Sequence, residues 1–379
     1  MKIVIVGPTY PFRGGISHYT TLLCLHLQKK HQIRFYTFSR PYPKKLYPGD
    51  ASFDPSETKL IVEAAIACID WANPFSWIKV GLSILRWSPH LIVFPWWMWG
   101  WSIPFWTIAK IATLRANTKI LFLCHNVIEH ESTFWKVLFS KFVLSTGNFY
   151  IVHSHGDYKN LKKMLPNAKV TISFHPTYEV FELNSASQDS PKKGPNISNR
   201  LKKTILFFGV VRPYKGLEYL IKAMPQIINK LPDLCLVIAG EFWEDKTRYL
   251  KLIQEYGLGD NIMVFDSYIP NEEIAAYFSI ADLVVLPYVS ATGSGVTQIA
   301  FGFNKPVVAT SVGDLPRVVE HGRRGLIVPP QESTSLANAI IQCFEDGVIK
   351  TFSENIKNDR YLFSWDHLTN IIESKVLTA

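Results

Sequence analysis

The chain has 379 residues, too many for one compact core and a fitting length for two domains that each bury an apolar interior. Hydrophobic residues make up 47% and charged residues 19%, which excludes a disordered chain, and the 11 Trp and 24 Phe are numerous enough that some aromatics are expected outside the cores. The net charge of +9 is unevenly placed: residues 1–180 carry 20 Lys and Arg against 9 Asp and Glu, and the remainder 20 against 22. A basic first half suits an anionic partner. No nucleic-acid signature accompanies the charge, so a phospholipid surface or a phosphate-bearing acceptor fits better than DNA or RNA, with a solvated basic face as the bland alternative.

In chain order, the start Met1 to Gly7 reads as a buried strand rather than a secretory leader, which places the protein in the cytoplasm. Short apolar runs follow at Ile33 to Thr37, Leu91 to Phe94, Ile120 to Cys124, Phe149 to Val152 and Val170 to Ser173, separated by amphipathic stretches. Such alternation predicts a parallel sheet with crossover helices, an α/β domain over residues 1–183. Leu91 to Ala109 is uncharged and approaches the roughly 20 residues of a membrane-spanning helix. Pro95 and Pro104 interrupt it, and a strand followed by the aromatic loop Trp96 to Trp101 accounts for the same residues. Those tryptophans suit either a core or a bilayer headgroup region.

Residues 184–203 are rich in Ser, Pro, Lys, Asn and Gly without apolar period and read as a linker. A second α/β domain is expected over 204–358, with strands at Thr204 to Phe208, Leu234 to Ala239, Ile262 to Phe265, Leu283 to Leu286, Pro306 to Ala309 and Gly325 to Val328. Residues 359–379 carry apolar residues at helical spacing, with Asp366 entering the first turn, and predict a closing helix. The five cysteines form no pattern with metal spacing and read as structural thiols in a reducing compartment. No metal site is expected.

Four loops at strand ends carry the candidate chemistry. Gly14 and Gly15 close a turn between a strand and a helix, where backbone N–H groups can meet an anion, with spacing that is not the dinucleotide fingerprint. In Gly209 to Gly216, Arg212 and Lys215 stand between a strand end and a helix start, so two cations can converge on a diphosphate. The loop Ser290, Ala291, Thr292, Gly293, Ser294, Gly295, Val296, Thr297, Gln298 runs into a helix and offers N–H donors to a pyrophosphate and short hydroxyls to a sugar. His125 follows a buried strand at the mouth of a cleft, placed to hydrogen-bond a sugar hydroxyl, although a lone histidine is often structural. Glu129, His130 and Glu131 are candidates for the acceptor side.

Together these residues resemble family four of the retaining glycosyltransferases, with the GT-B fold. Gly14 and Gly15 look like the family's N-terminal glycine loop, His125 with Asn126 like its cleft histidine, and Arg212-x-x-Lys215-Gly216 like its diphosphate-binding pair. Phe265 to Pro270, Asp282 to Pro287 and Phe363 to Asp366 are similar in order and spacing. The resemblance implies two Rossmann-like domains facing across a cleft and a last helix that crosses back to the first domain. It further implies a UDP- or GDP-linked sugar donor without other cofactor, a saccharide or lipid-phosphate-linked acceptor, and metal-independent transfer in surface polysaccharide or glycolipid synthesis, peripheral to the inner membrane face. The family's Glu-x7-Glu, whose carboxylates contact donor sugar and ribose, is replaced by Ser290 and Gln298, and Asp314 and Arg317 stand where Gly and Glu are usual. An epimerase acting on the same donor, or a non-catalytic scaffold that binds sugar nucleotides or polyanions, are the competing readings.

Overall fold

The computed structural model describes residues 1–41, 53–114, 117–128, 133–178, 180–183 and 203–377. The chain forms two compact units, one of residues 1–55, 59–174 and 365–379, the other of residues 56–58 and 175–364.

In the first unit the elements run β1 (Lys2–Val6), α1 (Gly15–Leu27), β2 (Gln32–Arg40), β3 (Ala65–Asp70), α2 (Pro74–Trp87), β4 (Leu91–Trp96), α3 (Ser102–Ala112), β5 (Lys119–Cys124), α4 (Phe134–Leu144), β6 (Phe149–Val152), α5 (His155–Met164) and β7 (Val170–Ile172). All strands pair in parallel in the order β3-β2-β1-β4-β5-β6-β7. The order reverses between β1 and β4, the switch point of a doubly wound sheet. Central strands covered on both faces need unbroken apolar runs, and Ile3 to Val6 and Leu91 to Phe94 are fully buried. The edge strand β3 had no such signature: its Ala-rich sequence has low strand propensity and Ile66 is 47% exposed.

The aromatic segment after β4 serves the core. Trp96 is the last residue of β4 and buried, and Trp101 is buried with its ring 4.1 Å from that of Phe38. The stretch ends in α3, and among the described residues no helix is long and apolar enough to cross a membrane.

The second unit runs α6 (Val180–Leu183), β8 (Lys203–Phe208), α7 (Leu217–Lys230), β9 (Leu234–Ala239), α8 (Thr247–Glu255), β10 (Ile262–Phe265), α9 (Asn271–Ile280), β11 (Leu283–Leu286), α10 (Gly295–Gly302), β12 (Val307–Thr310), α11 (Leu315–Val319), β13 (Gly325–Val328), α12 (Ser333–Glu345) and α13 (Ile349–Asn358). Its parallel sheet has the order β10-β9-β8-β11-β12-β13, again a doubly wound arrangement, with the switch between β8 and β11. The linker expected at 184–203 falls almost wholly outside the described residues. The unit boundary itself lies earlier, between Phe174 and His175. Tyr178 and Phe181 are buried, and the N–H of Thr177 donates to the carbonyl of Phe363 at 2.8 Å, so this stretch packs with the second unit.

The last helix, α14 (Trp365–Leu377), belongs to the first unit and begins six residues later than the expected 359. Asp359 is held in the second unit by Arg323 at 2.8 Å and Arg324 at 3.1 Å, and Arg360–Phe363 form a short 3-10 turn. The Trp365 ring packs 5.1 Å from Tyr19 and 5.6 Å from His26, both on α1, while Glu373 pairs with His31 at 3.0 Å. Truncating Trp365 to Ala removes this aromatic anchor. The first unit is expected to lose about 3 kcal/mol, measured as a lower denaturant midpoint, with amide exchange in α14 rising first.

Candidate functional site

Within the second unit the site is built on the carboxyl ends of β8, β9 and β11. Gly209 follows β8 with φ +93°, and its N–H donates to the Ala239 carbonyl at 2.8 Å. Arg212 then caps a 3-10 turn, Pro213–Lys215, closed by the Lys215 N–H to the Arg212 carbonyl at 2.9 Å. Gly216 leaves that turn with φ +65°, and a Cβ there would overlap the carbonyl oxygen of Pro287, so only glycine fits both the angle and the space. The N–H of Val289 donates to the Tyr214 carbonyl at 2.7 Å. Two loops from neighbouring strands are thereby clamped together at the switch point, where open α/β sheets take their ligands.

This clamp fixes two cations. Lys215 is only 9% exposed, with its ammonium 5.6 Å from the centre of the Tyr288 ring. The Arg212 guanidinium lies 4.2 Å over the ring of Trp243. Among the described residues neither head group is met by a carboxylate or other hydrogen-bond acceptor. Burial, and next the charge of Arg212, push the Lys215 ammonium down to about 8. A buried cation beside a second cation is the electrostatic condition that an arriving anion relieves.

The α10 helix starts at the same place. A Cβ placed on Gly209 would sit 3.1 Å from the Lys215 ammonium and 3.6 Å from a Val296 methyl, which brings the helix's first turn beside the lysine. Gly293 and Gly295 face open space, Ser294 has its hydroxyl 3.2 Å from that of Tyr288, and the Thr292 carbonyl accepts from the Asp314 N–H at 3.0 Å. Deeper in the helix, Thr297 and Gln298 are buried, and the Thr297 hydroxyl and the Gln298 side-chain oxygen have no partner among the described residues. Each orphaned polar atom costs about 1–3 kcal/mol, a penalty that a bound polar ligand can remove. Ser290 is exposed on the loop before them. Asp314 and Arg317 pair with one another at 2.6 Å.

In the first unit, Gly14, with φ +121°, caps α1, and Gly15 is exposed beside it. His125 follows β5, and its N–H donates to the Trp96 carbonyl at 2.8 Å. Its ring stands edge-on to Tyr19 of α1 at 4.4 Å and 5.5 Å from His153, whose Nε2 is 3.0 Å from the Tyr19 hydroxyl. The glycine turn and the histidine thus share one helix as scaffold. Glu129, His130 and Glu131 lie outside the described residues.

Two contributors escaped the sequence pattern. Trp243 comes from the loop after β9, and only the adjacency of β9 and β8 brings it to Arg212. Tyr288 stands in the right loop, but its ring rather than a polar tip faces the lysine.

Two measurements follow from the clamp and its charges. Gly216→Ala is expected to destabilise the second unit by about 1–3 kcal/mol, seen as a lowered melting temperature. For pyrophosphate as probe, the depressed lysine gives a definite sign: the cation is present below about 8 and is lost above it. Relative to Lys215→Met, whose profile reports the titration of pyrophosphate itself, affinity is therefore expected to fall between pH 7 and pH 9. Parallel profiles in the unaltered protein and Lys215→Met count against the lysine as anion ligand.

Residues 202–346 match the family model described as glycosyl transferases group 1. An uncharacterized glycosyltransferase of Methanocaldococcus jannaschii is 34% identical over 170 residues, 44% of this chain and 43% of that one. A D-inositol 3-phosphate glycosyltransferase of Pseudarthrobacter chlorophenolicus is 33% identical over 144 residues, covering 38% and 34%. The matched stretch thus spans less than half the length of these relatives. The crystal structure of HepE from Anabaena in complex with UDP superposes over 100% of both chains with a TM-score of 0.72 at 17% identity. Over residues 202–346 the chain is thus similar to the group 1 glycosyltransferases, and its two α/β units have the GT-B fold.

Proposed function

We propose that the chain is a retaining, metal-independent glycosyltransferase that moves a sugar from a UDP- or GDP-linked donor to a saccharide or lipid-phosphate-linked acceptor, in surface polysaccharide or glycolipid synthesis. The observation that carries this reading is the pair Arg212 and Lys215, cationic, clamped and, among the described residues, without a counter-anion beside the first turn of α10. That HepE was solved with UDP makes uridine diphosphate sugars the first donors to assay. Gln298, with its unpartnered oxygen, is assigned to a ribose hydroxyl, and Ser290 and Thr292 to the donor's sugar side. From the first unit, Gly14 and Gly15 are assigned to the donor phosphates and His125 to a sugar hydroxyl.

In the proposed reaction the acceptor hydroxyl attacks the anomeric carbon on the face that the diphosphate leaves. The new carbon–oxygen bond forms as the bond to the β-phosphate oxygen breaks, and the hydroxyl proton passes to that departing oxygen. Negative charge grows on the diphosphate as it leaves. Arg212, Lys215 and the N–H groups at the start of α10 bind this charge more strongly in the transition state than in the bound donor, which is the requirement for raising the rate. They supply the charge compensation that a divalent cation gives in other transferases, so added chelator is expected to leave turnover unchanged.

Arg212→Ala and Lys215→Ala are each expected to lower kcat/KM for a nucleotide sugar more than tenfold, about 1.4 kcal/mol of barrier, in an assay of acceptor-dependent nucleotide release. Unchanged turnover in either variant contradicts the assignment. Release of nucleotide in the absence of any acceptor supports the epimerase reading instead, and calorimetric binding without turnover over a broad acceptor panel supports the scaffold.

A further inference from the structure

One surface of the first unit is not used by any of these roles. Helices α2, α3 and α4 pack side by side, α3 in the middle, and the Trp106 ring on α3 stacks 4.8 Å from Phe142 on α4. Helices α2 and α4 each turn an apolar stripe outward. On α2 it is Phe75, Ile78 and Leu82, at spacings of three and four residues, with Phe75 79% exposed. On α4 it is Phe134, Trp135, Leu138 and Phe142, with the first two 75% and 65% exposed, and Ile103 continues the surface on α3. Exposed apolar residues grouped on three adjacent helices, aromatic on α2 and α4, form a patch of the kind that marks a docking surface rather than the scattered apolar residues of an ordinary exterior.

The charges on the same helices identify what docks. Lys79, Lys110 and Lys141 are exposed among the apolar stripes, one on each helix, and α2, α3 and α4 contain no acidic residue at all. From Trp71 to Gly156 the chain has seven Lys and Arg against two carboxylates, Glu129 and Glu131. A second copy of this chain placed on the patch would set lysine against lysine with no carboxylate on the facing helices to pair them. An anionic lipid surface accepts both halves of the pattern, because its headgroups attract the lysines while rings enter the boundary with the acyl chains. With 11 to 14 residues each, the helices are too short to span and are suited to lie in the interface.

We infer that the outward face of α2, α3 and α4 docks the protein peripherally on an anionic phospholipid bilayer, with Phe75, Phe134 and Trp135 as inserted anchors and Lys79, Lys110 and Lys141 as headgroup contacts. This goes beyond sugar transfer and does not depend on it.

Flotation of the full chain with phosphatidylcholine vesicles, with and without phosphatidylglycerol, tests the inference. Anionic vesicles are expected to capture the protein and neutral ones to do so far less, with capture falling as salt rises. The double variant Phe134→Ser, Trp135→Ser is expected to lose at least tenfold in partitioning. The triple variant Lys79→Gln, Lys110→Gln, Lys141→Gln loses about fivefold for each charge removed. Melting temperature and the affinity for UDP without vesicles are expected to stay as in the unaltered protein, since the replaced side chains are exposed. Equal capture of variants and parent, or of neutral and anionic vesicles, overturns the inference. So does a dimer in sedimentation equilibrium that the aromatic variant dissolves, because a second copy then covers the face. Unchanged transfer activity in Arg212→Ala and Lys215→Ala, both still floating with anionic vesicles, contradicts the transferase site assignment and leaves the docking surface standing.

Discussion

The arrangement around Lys215 depends on one electrostatic imbalance. An ammonium with 9% exposure, next to a guanidinium and, among the described residues, without a carboxylate, is costly to bury, and the protein holds it there with a turn that tolerates no side chain at Gly216. A structural lysine would ordinarily be neutralised by a partner, as Arg324 is by Glu320 and Asp359 in the same unit. The contrast between these two buried cations, one satisfied and one not, separates a scaffold role from a ligand-binding one. Aromatic faces rather than carboxylates accompany the unsatisfied pair, Tyr288 under the lysine and Trp243 under the arginine, so both cations are supported without being neutralised.

Both sheets repeat one topological solution. In each, the first strand and the strand that follows the order reversal lie side by side; the loops leaving β1, β8 and β11 carry the glycines and the cations, and the histidine follows β5, the next strand along. Parallel strands make this possible because all their carboxyl ends emerge at one edge, so residues far apart in the chain are gathered without long side chains. Gly209, Gly240 and Gly216 let backbone pass backbone at that edge in the second unit, and the functional groups inherit the rigidity of the strands.

Much of this was legible in the residues. The runs at Leu234 to Ala239, Ile262 to Phe265, Leu283 to Leu286 and Gly325 to Val328 coincide with observed strands, because fully buried parallel strands must be continuously apolar. Arg212 and Lys215 were readable because the loop that holds them directly follows such a strand. β3 was not, since an edge strand relaxes the composition rule, and the boundary at His175 was not, since it depends on Tyr178 and Phe181 finding partners far along the chain. The tryptophans following β4 suited a core or a bilayer equally well by composition. Packing decided for the core at Trp96 and Trp101, while the exposed aromatics emerged on α2 and α4, where only the folded neighbourhood distinguishes an outward stripe from an inward one.

Proton uptake on ligand binding probes the central imbalance most directly. Burial and the charge of Arg212 depress the Lys215 ammonium to about 8, so that near this pH it is partly deprotonated in the free protein, and a diphosphate drawn against it restores the proton. Calorimetry of UDP binding at pH 8 in buffers of different ionisation enthalpy is expected to show net proton uptake that is absent in Lys215→Met. Binding with no proton uptake in the unaltered protein would mean that the ammonium does not face the diphosphate, and the account of the site would be wrong.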